Sequence, residues 1–397
     1  MKIFLWIRFW RAILKCLCKL PLKHVVYFTK QLAYEHPHIH DGKVYVNTFF
    51  PPYPSGAFDR FLDTTIQRKR VPFSTYFAVT DQCPFKCSHC SYGLHVAGQL
   101  DTERTLQVIG EIKSLGTTTI GLTGGEPLLR TDIVELVRAI GDNTASVIFT
   151  TGYNLTAELA SSLKRAGLSC LMIGIESDSA AEHDKIRGVP GSFGQAIAAI
   201  QISLEAGLYA AISTIATRTK IKDETLVRLA GLASKYGVHE FRILEPVPTG
   251  VFKSQPDEML SIAESRQVAD FHKQWNKKAN GCAIASFAHL ESDEMFGCGA
   301  GYHHLFIDAV GNVCPCDLTP LSFGNVFEER LVRIWQRMGE IFCEPKCGCF
   351  SKEICKEFEL NSDETLPLDT KRSLSLCKLR HKSELPKIYQ NLFNGRK

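Results

Sequence analysis

The sequence predicts an α/β protein: a partial (β/α)6 barrel of the TIM type with a small cysteine-rich C-terminal domain. Three observations lead there. Between Phe73 and residue 276, a short alternating or β-branched run is followed six times over by a longer stretch of helical periodicity. Such βα units, about 30 residues each, imply a parallel sheet with right-handed crossovers, and six are too few to close an eightfold barrel. Most of the fifteen cysteines fall in two short-spaced sets that bracket this repeat, at 83–90 and 298–377. The 397 residues can hold both parts, with boundaries expected at 1–28, 29–72, 73–280 and 281–397.

Composition narrows the class. With 45% hydrophobic and 22% charged residues, a folded core is expected and disorder is not. The net charge is only +4, but residues 1–72 hold twelve Lys and Arg against four Asp and Glu. That local excess suits an anionic surface. No base-reading motif accompanies it, so a nucleic-acid partner is not expected. Clustered cysteines favour metal ligation over disulfides, and thiolates free to bind metal imply a reducing cytoplasm.

Residues 1–28 begin like a signal peptide, yet Arg8 interrupts the apolar run and no small-residue cleavage site comes after it. The segment is also too short and too charged to span a bilayer. Arg8, Arg11, Lys15 and Lys19 recur as one cationic stripe on a helix otherwise faced with Phe4, Trp6, Phe9, Trp10, Ile13, Leu14 and Leu17. This describes a helix lying in a membrane interface, on the cytoplasmic face, or seated in a partner's groove. Docking on the protein's own core is the competing reading. Residues 29–72, with Pro37, Pro51, Pro52 and Pro54, read as an irregular connection.

The repeat itself starts with a strand at Phe73–Thr80. It leads into DQCPFKCSHCSYG, which sets Cys83, Cys87 and Cys90 at x3 and x2 spacing. Soft thiolates select zinc, Cu(I) or iron–sulfur clusters. Three thiolates leave one iron of a cluster open to a small ligand, whereas a zinc knuckle needs His89 or a distant cysteine to complete it. Further strands are expected at Thr118–Thr123, Ser146–Thr150, Ser169–Glu176, Tyr209–Ala216 and Glu240–Leu244, each succeeded by a helix. In parallel sheets function gathers at the carboxyl ends of the strands. The cysteine loop lies there, as do Gly124-Gly125-Glu126-Pro127 after the second strand and Gly174-Ile175-Glu176-Ser177 after the fourth.

CPFKCSHC resembles the Cys-x3-Cys-x2-Cys signature of the radical S-adenosylmethionine (radical SAM) superfamily. Membership implies a 4Fe-4S cluster on Cys83, Cys87 and Cys90 whose open iron chelates SAM. It also implies reduction by a donor such as flavodoxin or ferredoxin, and a 5′-deoxyadenosyl radical that takes a hydrogen atom from the substrate. His89 stands where the family usually has an aromatic residue. GGEP resembles the family's motif for the SAM amino group, so Gly124, Gly125 and Glu126 inherit that role. Glu176 and Ser177 resemble the strand end that binds the ribose, and Arg187 the arginine that meets the SAM carboxylate. Ser213 on the fifth strand is a further expected SAM contact. Thr150-Thr151-Gly152 departs from the asparagine many relatives carry near the adenosine.

In the tail, Cys298-x12-Gly311-x4-Cys316 resembles the opening of the SPASM and twitch auxiliary-cluster domains, with Asp308–Gly311 as the hairpin turn. Phe323-Gly324-Asn325-Val326, Leu331 and Trp335 resemble the next segment of those domains. Cys343-x3-Cys347-x1-Cys349-x5-Cys355 keeps only the x5 step of that family, and Cys377 lies beyond it. The resemblance implies one or two auxiliary 4Fe-4S clusters among these thiols; structural zinc is the alternative. The functional expectation is therefore an enzyme carrying out an oxidative or cross-linking modification of a peptide, protein or other biosynthetic precursor. A membrane lipid or lipid-linked substrate is the alternative. The reading from a different class is a zinc or iron–sulfur scaffold that never cleaves SAM.

Overall fold

The computed structural model describes residues 2–278, 281–357, 365–377 and 384–393, the side chains of 356 and 357 excepted. The repeat forms the expected parallel sheet. After a short hairpin, β1 (His38–His40) and β2 (Lys43–Tyr45), come β3 (Ser74–Thr80), β4 (Thr119–Gly124), β5 (Ala145–Thr150), β6 (Cys170–Gly174), β7 (Ala210–Ile215) and β8 (Glu240–Leu244). These six are the predicted strands, and they lie side by side in chain order. Two strands from the stretch assigned to the C-terminal domain extend them. β9 (Ala283–Ser286) pairs parallel to β8, and β10 (His304–Ile307) pairs parallel to β3 at the opposite edge. β11 (Val313–Cys314) closes a hairpin on β10, giving nine strands where the repeat predicted six. Both added edges are four residues long, too short to show a period.

Helices 102–114, 133–140, 157–165, 192–205 and 225–236 cover the outer face, and their apolar sides meet the β-strands in one core. Side-chain caps start several of them: Asp101 accepts from the Arg104 N–H at 2.8 Å and Thr156 from Leu159 at 3.2 Å. Each such cap stabilises its helix by ~1 kcal/mol.

The amino ends of the strands are stoppered. Tyr45 stacks on Tyr209 at 4.1 Å and packs with Val147, Cys170 and Met172. The Thr48 N–H donates to the buried Glu240 carboxylate at 2.7 Å.

The N-terminal expectations need correction. The single helix foreseen over 1–28 is two, α1 (Lys2–Leu17) and α2 (Leu22–Leu32), because Pro21 has no N–H to continue the first. The supposed irregular connection holds the β1–β2 hairpin and α3 (Gly56–Gln67), capped by Ser55 accepting from Phe58 N–H at 3.0 Å. α1 docks on the protein's own core: Phe9 is buried, 5.6 Å from Tyr53 and 5.9 Å from Phe58. Among the described residues no helix is long and apolar enough to cross a membrane.

Candidate active site

The cysteine loop leaves β3 at the open end, and its backbone is pinned by its neighbours. Gly125 and Glu126 N–H donate to Thr80 and Gln82 carbonyls, both at 2.7 Å. Lys86 and Ser88 N–H donate to Arg187 and Ile186 carbonyls at 3.2 and 3.0 Å, and Val251 N–H donates to the Cys90 carbonyl at 2.8 Å. Close approach requires the paired glycines. A Cβ on Gly124 would sit 2.2 Å from the Thr80 oxygen, and one on Gly125 2.1 Å from that of Gln82. The three thiols are thus presented on a fixed frame at the mouth of a cavity of about 650 Å³.

Behind the loop lies a charge cluster that the sequence only half reveals. Glu176 is buried; its Oε2 accepts from Lys220 Nζ at 2.6 Å and Thr214 Oγ1 at 3.0 Å, its Oε1 from Arg187 Nη2 at 3.0 Å. His89 Nε2 is 3.4 Å from the same Oε1. Burial alone would raise the Glu176 carboxyl, but Lys220 and Arg187 hold it well below its ordinary range. Burial pulls His89 down to about 4, so the imidazole is neutral. Arg187 Nη1 reaches Cys87 Sγ at 3.6 Å, which leaves its buried Nε without a partner. Gly174 makes room for it, since a Cβ there would be 2.0 Å from Arg187 Nη2.

Not every expected contact is where it was foreseen. The Glu126 carboxylate is turned away from the cavity. It accepts from Thr150 and Thr151 hydroxyls, both at 2.6 Å, and from Thr151 and Leu128 N–H. These bonds explain the threonines that depart from the family's asparagine. Ser177 donates to Glu182 and accepts from Ser179 N–H at a helix start, outside the cavity. Glu176 lines the cavity with its oxygens engaged by Lys220, Thr214 and Arg187. Gly124, Gly125, Arg187 and Ser213 do line it. Sequence reasoning missed Lys220, whose only signal is its place just beyond the carboxyl end of β7. It also missed Arg242, buried on β8 and bonded to Tyr76 OH at 3.1 Å.

Across the cavity stand tail thiols. Cys298, Cys316 and Cys349 share its wall. A hydrogen bond from Cys298 brings Cys349 down to about 7, and the Cys349 charge in turn acts on Cys316 and Cys355. Cys298 and Cys349 are thus direct neighbours, with Cys316 and Cys355 within reach of the Cys349 charge. Of the other expected ligands, Cys343 is exposed and its charge is felt by Arg70 and Tyr302. Cys347 is pushed up to about 12 by burial and the Asp293 carboxylate, and Cys377 is buried in the main core.

The donor set fits clusters better than single ions. Among the described residues, no three of the loop thiols or of the tail thiols gather tightly enough for a lone metal ion, and of the expected thiols only Cys316 joins a compact donor set, with His304 and Asp317. His89, the residue that was to complete a zinc knuckle, faces Glu176 instead. Burial pushes Cys83 up to about 11 and Cys316 well up, and a cationic guest would relieve this by taking the thiolate form.

Comparison with known proteins agrees. The description "Radical SAM superfamily" matches residues 77–233 and "Iron-sulfur cluster-binding domain" matches residues 298–357. An AdoMet-dependent heme synthase of Methanosarcina barkeri is 28% identical over 73% of this chain and 92% of its own length. The mycofactocin maturase MftC of Mycobacterium ulcerans is 30% identical over 62% of this chain and 68% of its own. Among solved structures, Streptococcus suis SuiB bound to the precursor peptide SuiA superposes with a TM-score of 0.58 at 17% identity, over 70% of this chain and 68% of SuiB. The same protein bound to S-adenosylmethionine gives 0.56 at 16% identity, over 71% and 72%.

Proposed function

Since this chain belongs to the radical SAM superfamily and carries a SPASM iron–sulfur domain, we propose that it oxidises or cross-links a substrate held in the 650 Å³ cavity between its two thiol sets. One observation carries the reading: Cys83, Cys87 and Cys90 face Cys298, Cys316 and Cys349 across a single space. Bound to the three loop thiols, a 4Fe-4S cluster supplies the electron that cleaves SAM and so the 5′-deoxyadenosyl radical.

The chain's own residues do the positioning. Gly124 and Gly125 present backbone for the amino group of SAM while Glu126, tied to Thr150 and Thr151, keeps that turn rigid. Glu176 and Lys220 hold the Arg187 guanidinium beside Cys87, and its unpartnered Nε remains for a carboxylate. The neutral His89 fills the space over Glu176 without adding charge. Cys298, Cys316, Cys349 and Cys355 hold an auxiliary cluster that can take an electron from the substrate or anchor it. The relatives' names speak of peptides and of haem, and both compete for this cavity.

Anaerobic reconstitution tests the reading. With SAM and dithionite the protein is expected to yield 5′-deoxyadenosine and to carry iron for two 4Fe-4S clusters. A colourless protein holding zinc, or a brown one that leaves SAM intact, rejects it in favour of a scaffold.

A further inference from the structure

Of the thirteen large apolar side chains exposed among the described residues, seven fall between Ile3 and Val26. Ile3 is 77% exposed, Phe4 72% and Leu22 77%. At 3.6 residues per turn, Ile3, Ile7, Trp10 and Leu14 form one row on the outward side of α1, and Arg8, Arg11 and Lys15, all exposed, form the row beside it. The face opposite, with Phe9, Cys16 and Leu17, is buried.

Beneath this surface lies a chamber walled by α1, α2, α3 and the C-terminal helix Lys387–Phe393. Its interior measures about 90 Å³, against about 650 Å³ for the active-site cavity. Side chains such as Ile13, Leu17, Phe28, Leu62 and Leu392 make its wall almost wholly carbon. Six rings line both this chamber and the active-site cavity, and they touch in sequence. Tyr389 meets His303 at 5.6 Å, His303 stacks on Phe73 at 4.1 Å, and Phe73 meets Phe61 at 5.0 Å. Phe61 then meets Phe50 at 5.6 Å and Phe50 meets Phe296 at 5.9 Å. The chamber therefore ends at an aromatic partition whose far side faces Cys87 and Cys298.

We propose that the substrate is an anionic membrane lipid, and that its apolar chain reaches the active site through this chamber. The proposal rests on the radical SAM reading and names its substrate class. An apolar row flanked by a cationic row matches the boundary between acyl chains and anionic headgroups. A peptide is the poorer occupant, because every residue brings an N–H and a C=O that carbon walls leave unpaired. The chain passes the partition and loses one hydrogen atom. Its C–H bond breaks homolytically and the hydrogen forms the new C–H bond of 5′-deoxyadenosine. The unpaired electron stays on the chain carbon, and a one-electron donor reduces the cluster for each SAM cleaved.

The test uses the full chain, reconstituted anaerobically with iron and sulfide, with SAM, dithionite and vesicles of chain-perdeuterated dioleoylphosphatidylglycerol. Deuterium is expected in 5′-deoxyadenosine. Ile7→Glu with Leu14→Glu is expected to cut vesicle co-sedimentation at least about tenfold, and deuterium transfer with it. Ile13→Trp, which fills the chamber, keeps vesicle binding and loses the transfer. Both variants keep the vesicle-free cleavage of SAM, which shows that they fold. 5′-Deoxyadenosine without deuterium, or transfer indifferent to both variants, overturns the lipid; no 5′-deoxyadenosine at all overturns the reading beneath it instead.

Discussion

Two sets of thiols face one cavity, and they are held by opposite means. Cys83, Cys87 and Cys90 come from eight consecutive residues, and the loop that carries them is fixed by backbone bonds from β4, from the end of helix 180–187 and from Val251. Cys298, Cys316 and Cys349 come from segments up to 51 residues apart and reach the cavity wall through the packing of the tail, with Cys355 behind them within reach of the Cys349 charge. The first set is a local motif on a rigid frame, with an ionised Glu176 and its cations behind it. The second depends on tertiary structure and sits among thiols that burial raises. Three thiols leave a corner of a cluster open, whereas four can close one. The difference in count is a difference in job.

The sharpest way to break that comparison is to remove one thiol from each set. Cys87→Ala is expected to lower 5′-deoxyadenosine formation by more than ~100-fold, because loss of a partner one shell further out already costs up to that much. Cys349→Ala is expected to lose the iron of one cluster while SAM cleavage without substrate stays within about threefold of the parent, since Cys349 touches none of the SAM-facing groups. Iron content and 5′-deoxyadenosine, measured on both, decide the matter. Equal loss of cleavage in the two variants would remove the division of labour.

A second variant probes the frame behind the loop. Glu176→Gln leaves Lys220 and Arg187 buried without their counter-charge, and breaking one partner of a buried pair costs ~3–5 kcal/mol. Denaturant unfolding of the iron-free, reduced protein is expected to show that loss. Adding Lys220→Met, which removes one orphaned cation, is expected to restore part of it. A Glu176→Gln protein as stable as the parent would mean the charges are solvated and the frame is not electrostatic.

Legibility in the sequence obeys the same division between local and distant. The cysteine triad, GGEP and six strands are legible because each is a contiguous run with its own spacing. Even Thr150-Thr151, readable only as a departure from the family, has its cause 24 residues away in the Glu126 carboxylate it serves. β10 escaped as a member of the barrel because its partner β3 lies 230 residues earlier. Lys220 reads as one more surface lysine until β7 delivers it to Glu176. Ser177 looks like a ligand in the sequence, and in space its hydroxyl bonds the Glu182 side chain and the Ser179 N–H just ahead of a helix. Pro21 was visible and under-read, for its missing N–H alone divides the N-terminal helix in two.

The smallest effect separates the loop side from the tail side by pH. His183 Nδ1 accepts the Glu176 N–H at 3.1 Å, so the folded state needs the neutral imidazole, and burial together with the Arg187 charge pulls the group down to about 4. In the unfolded chain it titrates near ~6.5. Above that value neither state holds the proton and the contribution to stability is constant. As the pH falls from 6.5 toward 4 the unfolded chain takes up the proton first, and stability drops. The linkage gives at most about 2 kcal/mol between pH 6.5 and 5 for this one group. Glu176 acts in the same direction but in a lower window, because a carboxylate held below its ordinary range loses its contribution only under about pH 4. The unfolding free energy of the iron-free protein is therefore expected to fall between pH 7 and 5. His183→Gln keeps an acceptor for the Glu176 N–H, and its decline over the same interval is expected to be shallower by roughly that amount. If parent and variant decline in parallel, His183 titrates alike in the folded and unfolded chains, and the neutral side of the frame is wrongly drawn.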